Sequence, residues 1–222
     1  MSGDRTRNRW EQGDFDAHRM GAFADAVLAI AITLLVIEIK RPEGAALETP
    51  HALADFRWQE KASFVAFALA FFLLWSVWRR LHILIDKIDR LDRVTVGLHA
   101  PLLLFAAFLP FPTAVFGNAP DNELAACLFS LSAAALFGSE AVMKESAWRG
   151  AILAPGADPP AIRASAGASG AVTLFFLLTA ALVWLTPSAW PLWFAAPGIA
   201  YFGGTLVERL RPCAELPHRP TE

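Results

Sequence analysis

Six stretches of about twenty predominantly apolar residues divide this chain, and nothing in it constrains the fold more. They run over 19–39, 62–81, 94–116, 122–143, 163–186 and 190–207. A segment of that length is read as a helix that crosses the membrane. The expected fold class is therefore all-α: an integral membrane protein with six transmembrane helices. The composition agrees, with 55% hydrophobic against 18% charged residues and a mean hydropathy of +0.42. Eight Trp against one Tyr suit rings placed at the membrane interface. Prolines 101, 110 and 112 in the third stretch, and 191 and 197 in the sixth, should kink or end those helices.

Charge counting gives the orientation. Fifteen of the nineteen Lys and Arg residues fall in the N-terminal tail and helix start, the link between stretches two and three, the link between four and five, and the C-terminal tail. Only Lys40, Arg41, Arg57 and Lys61 lie on the other side. The positive-inside rule then places both termini in the cytoplasm. The expected domain division is a cytoplasmic tail over 1–18, a six-helix transmembrane domain over 19–207 and a cytoplasmic tail over 208–222. The first eighteen residues are polar, without the apolar core of a cleavable signal, so the first apolar run is expected to act as an uncleaved anchor. A net charge of −2 suggests no nucleic-acid partner. Cys127 and Cys213 sit far apart and read as free thiols.

Between the stretches, 40–61 reads as a loop of about twenty residues with one short helix, and 150–160 as a Gly/Pro-rich turn. Residues 81–94, "LHILIDKIDRLDRV", are amphipathic, with Leu81, Leu84, Ile88 and Leu91 at helical spacing. They read as the second helix continuing into the cytoplasm, with Asp86/Arg90 and Asp89/Arg93 as i,i+4 pairs. "SAGASG" (165–170) places Ala166 and Gly170 on one face as a helix-packing surface.

The first stretch carries a polar residue in an unexpected place. On a wheel of about 100° per residue, Arg19, Ala26, Ile30, Thr33 and Ile37 share a stripe roughly 60° wide. Asp25 lies on another face, roughly 110° from the centre of that stripe. A carboxylate facing lipid is costly, so Asp25 should face protein and be paired. Its candidate partners are Trp78, His82 and His99, with Arg19 or Arg80 near the cytoplasmic end. The bland reading is a clamp holding the first helix against the second and third, and the alternatives are proton sensing or ion binding. For the stripe the bland reading is ordinary packing. If the stripe lines a pore, several copies of the chain must surround one axis.

The residues that follow one another here resemble a known family. Arg19-x-x-x-Phe23-Ala24-Asp25 is similar to the R-x-x-x-F-S-D signature of the transmembrane-protein-175 family of potassium channels, in its bacterial branch. "WRRLH" (78–82), Asp92, His99 and "LPFPT" (109–113) follow the family pattern in order and spacing. The resemblance covers 19–116 and is topological beyond. It implies a homotetramer in a bacterial plasma membrane, permeable to K⁺ ions and weakly K⁺-selective, with membrane lipid around it and no cofactor. By position, Ile30 would be the hydrophobic constriction, Thr33 a hydroxyl ring beside it and Ile37 a further apolar layer. Arg19, Phe23, Asp25, Trp78, His82 and His99 would form the gating or structural network. Three positions depart from the pattern: Ala24 replaces Ser, Leu81 replaces a His found in many relatives, and His99 stands where Asn is expected. The chain holds no TVGYG-like carbonyl filter, so discrimination would come from the cost of stripping water at a hydrophobic neck.

Other classes are weaker. Ser63, Ser130, Ser132 and Ser169 lack a His or Asp at helical spacing, so no catalytic residue is expected, and the hydroxyls should bond back to helix carbonyls. No HExxH or CxxC motif suggests a metal site. Glu140 and Lys144 read as a helix-end ion pair. A secondary transporter, or a non-conducting membrane scaffold of the same fold, is the alternative. The Pro/Gly interruptions of the third and sixth stretches favour a transporter, and the lack of mid-membrane acids besides Asp25 opposes it.

Overall fold

The computed structural model describes residues 17–88, 93–149, 153–154 and 156–210. The described residues are all helical or loop, apart from one isolated antiparallel bridge between Ile88 and Leu153. The helices are α1 (Ala17–Ile37), α2 (Pro50–Gln59), α3 (Lys61–Ile85), α4 (Arg93–Phe108), α5 (Pro110–Asn118), α6 (Glu123–Arg149), α7 (Pro159–Leu182) and α8 (Ala196–Leu210). Two 3-10 segments, Gly44–Leu47 and Pro187–Ala195, precede α2 and α8.

Local chemistry explains where the helices begin. Thr49 Oγ1 accepts a hydrogen bond from Ala52 N at 3.1 Å, and Pro50 occupies the first turn of α2. Asp158 plays the same part for α7, ahead of Pro159. Asn122 Oδ1 accepts from Leu124 N and Ala125 N and opens α6.

Among the described residues, five helical segments are long and apolar enough to cross a membrane: Arg19–Ile37, Lys61–Ile85, Arg93–Asn118, Glu123–Arg149 and Pro159–Leu182. The third consists of α4 and α5, which meet at Leu109. Pro110 and Pro112 each remove a backbone donor there, while Leu109 N and Thr113 N keep their i−4 partners. The sixth expected span, 190–207, is not one helix. It divides into the 3-10 segment and the fifteen-residue α8. Pro191 breaks the ladder, and Trp193 turns fully inward. There its ring stacks on Phe129 at 4.6 Å and meets Phe116 edge-on at 4.8 Å. This aromatic knot fills one end of the bundle.

α6 packs along α7 and against α4, and α7 packs along α8. α1 lies at one edge, against α3, α4 and α5. The α7–α8 seam is close. A Cβ on Gly203 would lie 2.3 Å from Ala171 Cβ, and one on Gly167 would lie 2.3 Å from Val207 Cγ2. "SAGASG" thus packs within the chain, through Gly167 rather than Gly170, which has open space where its Cβ would be. Gly117 is also required by a close approach, because its Cβ would meet Ser63 Cα at 2.9 Å.

The amphipathic segment 81–94 does not continue as a helix. α3 ends at Ile85, and Asp86, Lys87 and Ile88 fold back with bonds to His82 O, Leu84 O and Ile85 O. Lys87 O then accepts from Ala154 N at 2.9 Å, and Ile88 is buried against the turn that follows α6. The two expected ion pairs involve Asp89 and Arg90, which lie outside the described residues. The link 40–61 holds more helix than expected. α2 is separated from α3 by Glu60 alone, whose carboxylate accepts from Lys40 Nζ and Ser63 Oγ.

Candidate functional site

α1 buries Ala24, Leu28, Ala31 and Leu35, all at or below 1% exposure. These four centre roughly 160° around the wheel from the Ile30–Thr33–Ile37 stripe. The stripe is bare: Ile30 is 59% exposed, Ile37 60%, and Thr33 is exposed as well. Phe23, 60% exposed, flanks it. One face of the helix therefore belongs to the chain's own core, and the opposite face has no partner among the described residues. Thr33 Oγ1 donates to Ile30 O at 2.8 Å. Its hydrogen is spent on its own helix, and its lone pairs remain directed away from it.

Asp25 sits between the two faces and is half-buried. Trp78 Nε1 donates to its Oδ1 at 2.9 Å, which ties α1 to α3. His82, one turn further along α3, stacks on the Trp78 ring at 5.7 Å. Trp75 packs on the other side of Trp78 at 4.8 Å. His99 on α4 is buried and bonds Thr95 O through Nδ1 at 2.8 Å. Its Nε2 is buried without a hydrogen-bond partner among the described residues. Arg19 is exposed and makes no side-chain hydrogen bond among them. The chain itself thus joins Trp78 to Asp25 directly and His82 to it through the Trp78 ring. It places His99 and Arg19 elsewhere.

A second polar cluster lies deeper, and the sequence reading missed it. Arg80 Nε and Nη2 donate to the two oxygens of Glu140 at 2.7 and 2.9 Å. Lys144 Nζ donates to Glu140 Oε1 at 2.6 Å, to Ser169 Oγ at 3.0 Å and to Ser165 O at 3.4 Å. Glu140 is 0% and Lys144 1% exposed. The expected helix-end pair is instead a buried junction of α3, α6 and α7, and Glu140 is a second acid inside a span. The missed signal was Arg80: an ionisable residue within an apolar span needs a partner, and Glu140 and Lys144 were the available ones. Both Glu140 oxygens and all three Lys144 hydrogens find partners, so the junction works as a clamp rather than a reactive centre.

The serines divide. Ser132 Oγ and Ser169 Oγ donate to the carbonyls of Leu128 and Ser165, as expected. Ser63 Oγ bonds Glu60 and, across the bundle, Gly117 O at 3.1 Å. Ser130 Oγ is buried without a partner among the described residues. No three metal-ligating side chains gather among those residues.

Comparison with known proteins gives concordant matches. The profile of the endosomal/lysosomal potassium channel TMEM175 family matches residues 19–110. A potassium channel of Streptomyces collinus is 29% identical over 195 residues, spanning 85% of this chain and 92% of that one. A potassium channel of Chamaesiphon minutus is 32% identical over 141 residues, spanning 61% and 66% respectively. The crystal structure of a lysosomal potassium-selective channel TMEM175 homolog from Chamaesiphon minutus superposes with a TM-score of 0.65 at 25% identity, over 87% of this chain and 97% of that one. The family match starts at Arg19 and spans the helices that carry Asp25 and Trp78. The chain is thus similar to the TMEM175 family of potassium channels, in sequence over residues 19–110 and in fold over most of its length.

Proposed function

We propose that this protein is a potassium-permeable channel of the bacterial plasma membrane, weakly selective for K⁺ and assembled as a tetramer around four copies of α1. The observation that carries the reading is the bare stripe on α1. The stripe lies opposite the face that the chain's own core buries, and it sets a hydroxyl, Thr33, between Ile30 and Ile37, where a surface that met only lipid would have no use for an oxygen. Fourfold symmetry would turn Ile30 into an apolar ring, Thr33 into a ring of hydroxyl oxygens and Ile37 into a further layer. A cation crossing the Ile30 ring sheds part of its water, a step cheaper for K⁺ than for Na⁺, and the same ring closes by dewetting. Asp25, with Trp78 and His82, holds the helix in its angular setting. Arg19, Phe23 and His99 complete the network at subunit contacts or on opening.

In this reading both termini are cytoplasmic, residues 1–18 and 208–222 are tails, and 19–207 form the channel domain. The sixth span is the 3-10 segment plus α8. At about 2.0 and 1.5 Å rise per residue the two together are long enough to cross.

The test is ion flux from proteoliposomes under K⁺ and Na⁺ gradients, with Ile30→Asn beside the wild type. K⁺ flux above Na⁺ flux, with the difference collapsing in Ile30→Asn, supports the neck. A well-folded oligomer that passes neither ion, wild type or variant, supports the alternative of a transporter or non-conducting scaffold of the same fold.

A further inference from the structure

An open cleft of about 990 Å³ runs between α4, α6, α7 and α8 at the end of the bundle where α6 stops and α7 starts. Its walls repeat once per helical turn. α6 contributes Val142, Glu145 or Ser146, and Arg149; α8 contributes Val207 and Leu210. The floor is Ala166 and Gly167 of α7. The cleft therefore runs along the helix axes, which is the membrane normal in a multi-span protein. It also changes character along its length. From Val142 to Arg149 is two turns, about 10 Å, over which the lining passes from apolar to charged.

Among the described residues, one cation of the charged rim is not balanced by a carboxylate. Arg149 and Glu145 neutralise each other, with Nε and Nη2 of the arginine both on Glu145 Oε1 at 2.8 Å. Arg163 also lines the cleft and has no carboxylate partner among the described residues. Its guanidinium lies over the Trp148 ring at 4.6 Å, which fixes the position of the charge. A positive rim over an apolar slot, with an aromatic ring at the boundary, repeats the polarity profile of half a bilayer. This end of the bundle also carries the excess of Lys and Arg in the sequence, where anionic lipid headgroups are attracted.

We propose that this cleft is a binding site for an anionic phospholipid, with its phosphate on Arg163 and an acyl chain lying along Val142, Val207 and Leu210. The proposal rests on the membrane reading of the fold and not on conduction. The lipid would join the start of α7 to the end of α8 and to α6.

The test uses the full-length protein in an uncharged detergent, with thermal unfolding followed while short-chain phosphatidylglycerol, short-chain phosphatidylcholine or inorganic phosphate is titrated. The expected result is a rise in midpoint with phosphatidylglycerol only. Arg163→Gln should need about tenfold more lipid for the same rise, since one charge-assisted contact is lost. Val142, 55% exposed, can become Trp without entering the core, and Val142→Trp should fill the slot and abolish the rise. An equal rise with phosphatidylcholine, an equal rise with phosphate alone, or an undiminished rise in both variants overturns the proposal. No rise at all, with Val142→Trp breaking the oligomer on a sizing column, overturns it in favour of a neighbouring copy in the cleft. Flux plays no part in the readout, so a non-conducting protein that binds the lipid, or a conducting one that does not, separates this proposal from the channel reading.

Discussion

Arg80 on α3 and Glu140 on α6 meet through two parallel hydrogen bonds of 2.7 and 2.9 Å, sixty residues apart in sequence. Lys144 closes the same carboxylate from one turn away. Removing one member strands the others in a dry site. Arg80→Leu should lower stability by about 3–5 kcal/mol, as for other broken buried pairs. The exposed Glu145–Arg149 pair is the internal control, and Arg149→Ala should cost under about 1 kcal/mol. Thermal unfolding of both variants in one detergent decides this; equal small losses would mean the clamp is solvated.

Trp78 donates to Asp25 while packed between Trp75 and His82. Trp78→Phe keeps a ring and removes the donor, and should cost about 1–3 kcal/mol. His82→Leu keeps the bond and loses only stacking, so it should cost less. If α1 is the pore helix, Trp78→Phe should also change K⁺ flux at temperatures where the protein remains folded. A stability loss with unaltered flux would confine the bond to folding.

Thr33 separates oxygen from shape. Thr33→Val retains the branched outline and removes the hydroxyl whose hydrogen is already held by Ile30 O. Stability should move by less than about 1 kcal/mol, because such intrahelical back-bonds contribute little net. K⁺ flux should fall, and Thr33→Ser should restore it. Wild-type flux in Thr33→Val would remove the hydroxyl ring from the mechanism.

Two glycines on adjoining helices make opposite predictions. Gly203→Ala drives a methyl into Ala171 Cβ, with Gly167 O 3.2 Å away on the facing backbone, at a cost of about 1–3 kcal/mol. Gly170→Ala meets nothing within 4 Å and should stabilise by about 0.4–1 kcal/mol through helix propensity and unfolded-state entropy. Paired unfolding curves give both signs at once.

Five apolar spans and the split character of α1 were legible in the sequence because hydropathy and the 3.6-residue period report burial directly. That Asp25 needs a protein partner was legible too, because a polar group in an apolar helix demands one, but the sequence left Trp78 as one candidate beside His82, His99, Arg19 and Arg80. The failures share a cause. The division at Pro187–Ala195 depends on Trp193 finding room between Phe116 and Phe129, three remote parts of the chain. The end of α3 at Ile85 depends on Ile88 pairing with Leu153. Glu140 and Lys144 satisfy the i,i+4 rule whether exposed or buried, and only Arg80, arriving from another helix, distinguishes the two.

The buried seam of α1 alternates small and large side chains: Ala24, Leu28, Ala31, Leu35. Sliding the helix by one turn, about 5.4 Å, would press leucines into notches cut for alanines and leave voids where leucines had been. The seam therefore admits one axial register, like a key with a single set of cuts. Any change in what α1 presents on its bare side must come from turning or tilting about that seam, or from rotamer changes at Ile30 and Ile37, and not from a piston stroke. Two copies caught in different functional states should thus superpose on Ala24 and Ala31 while differing in the angular position of Ile30.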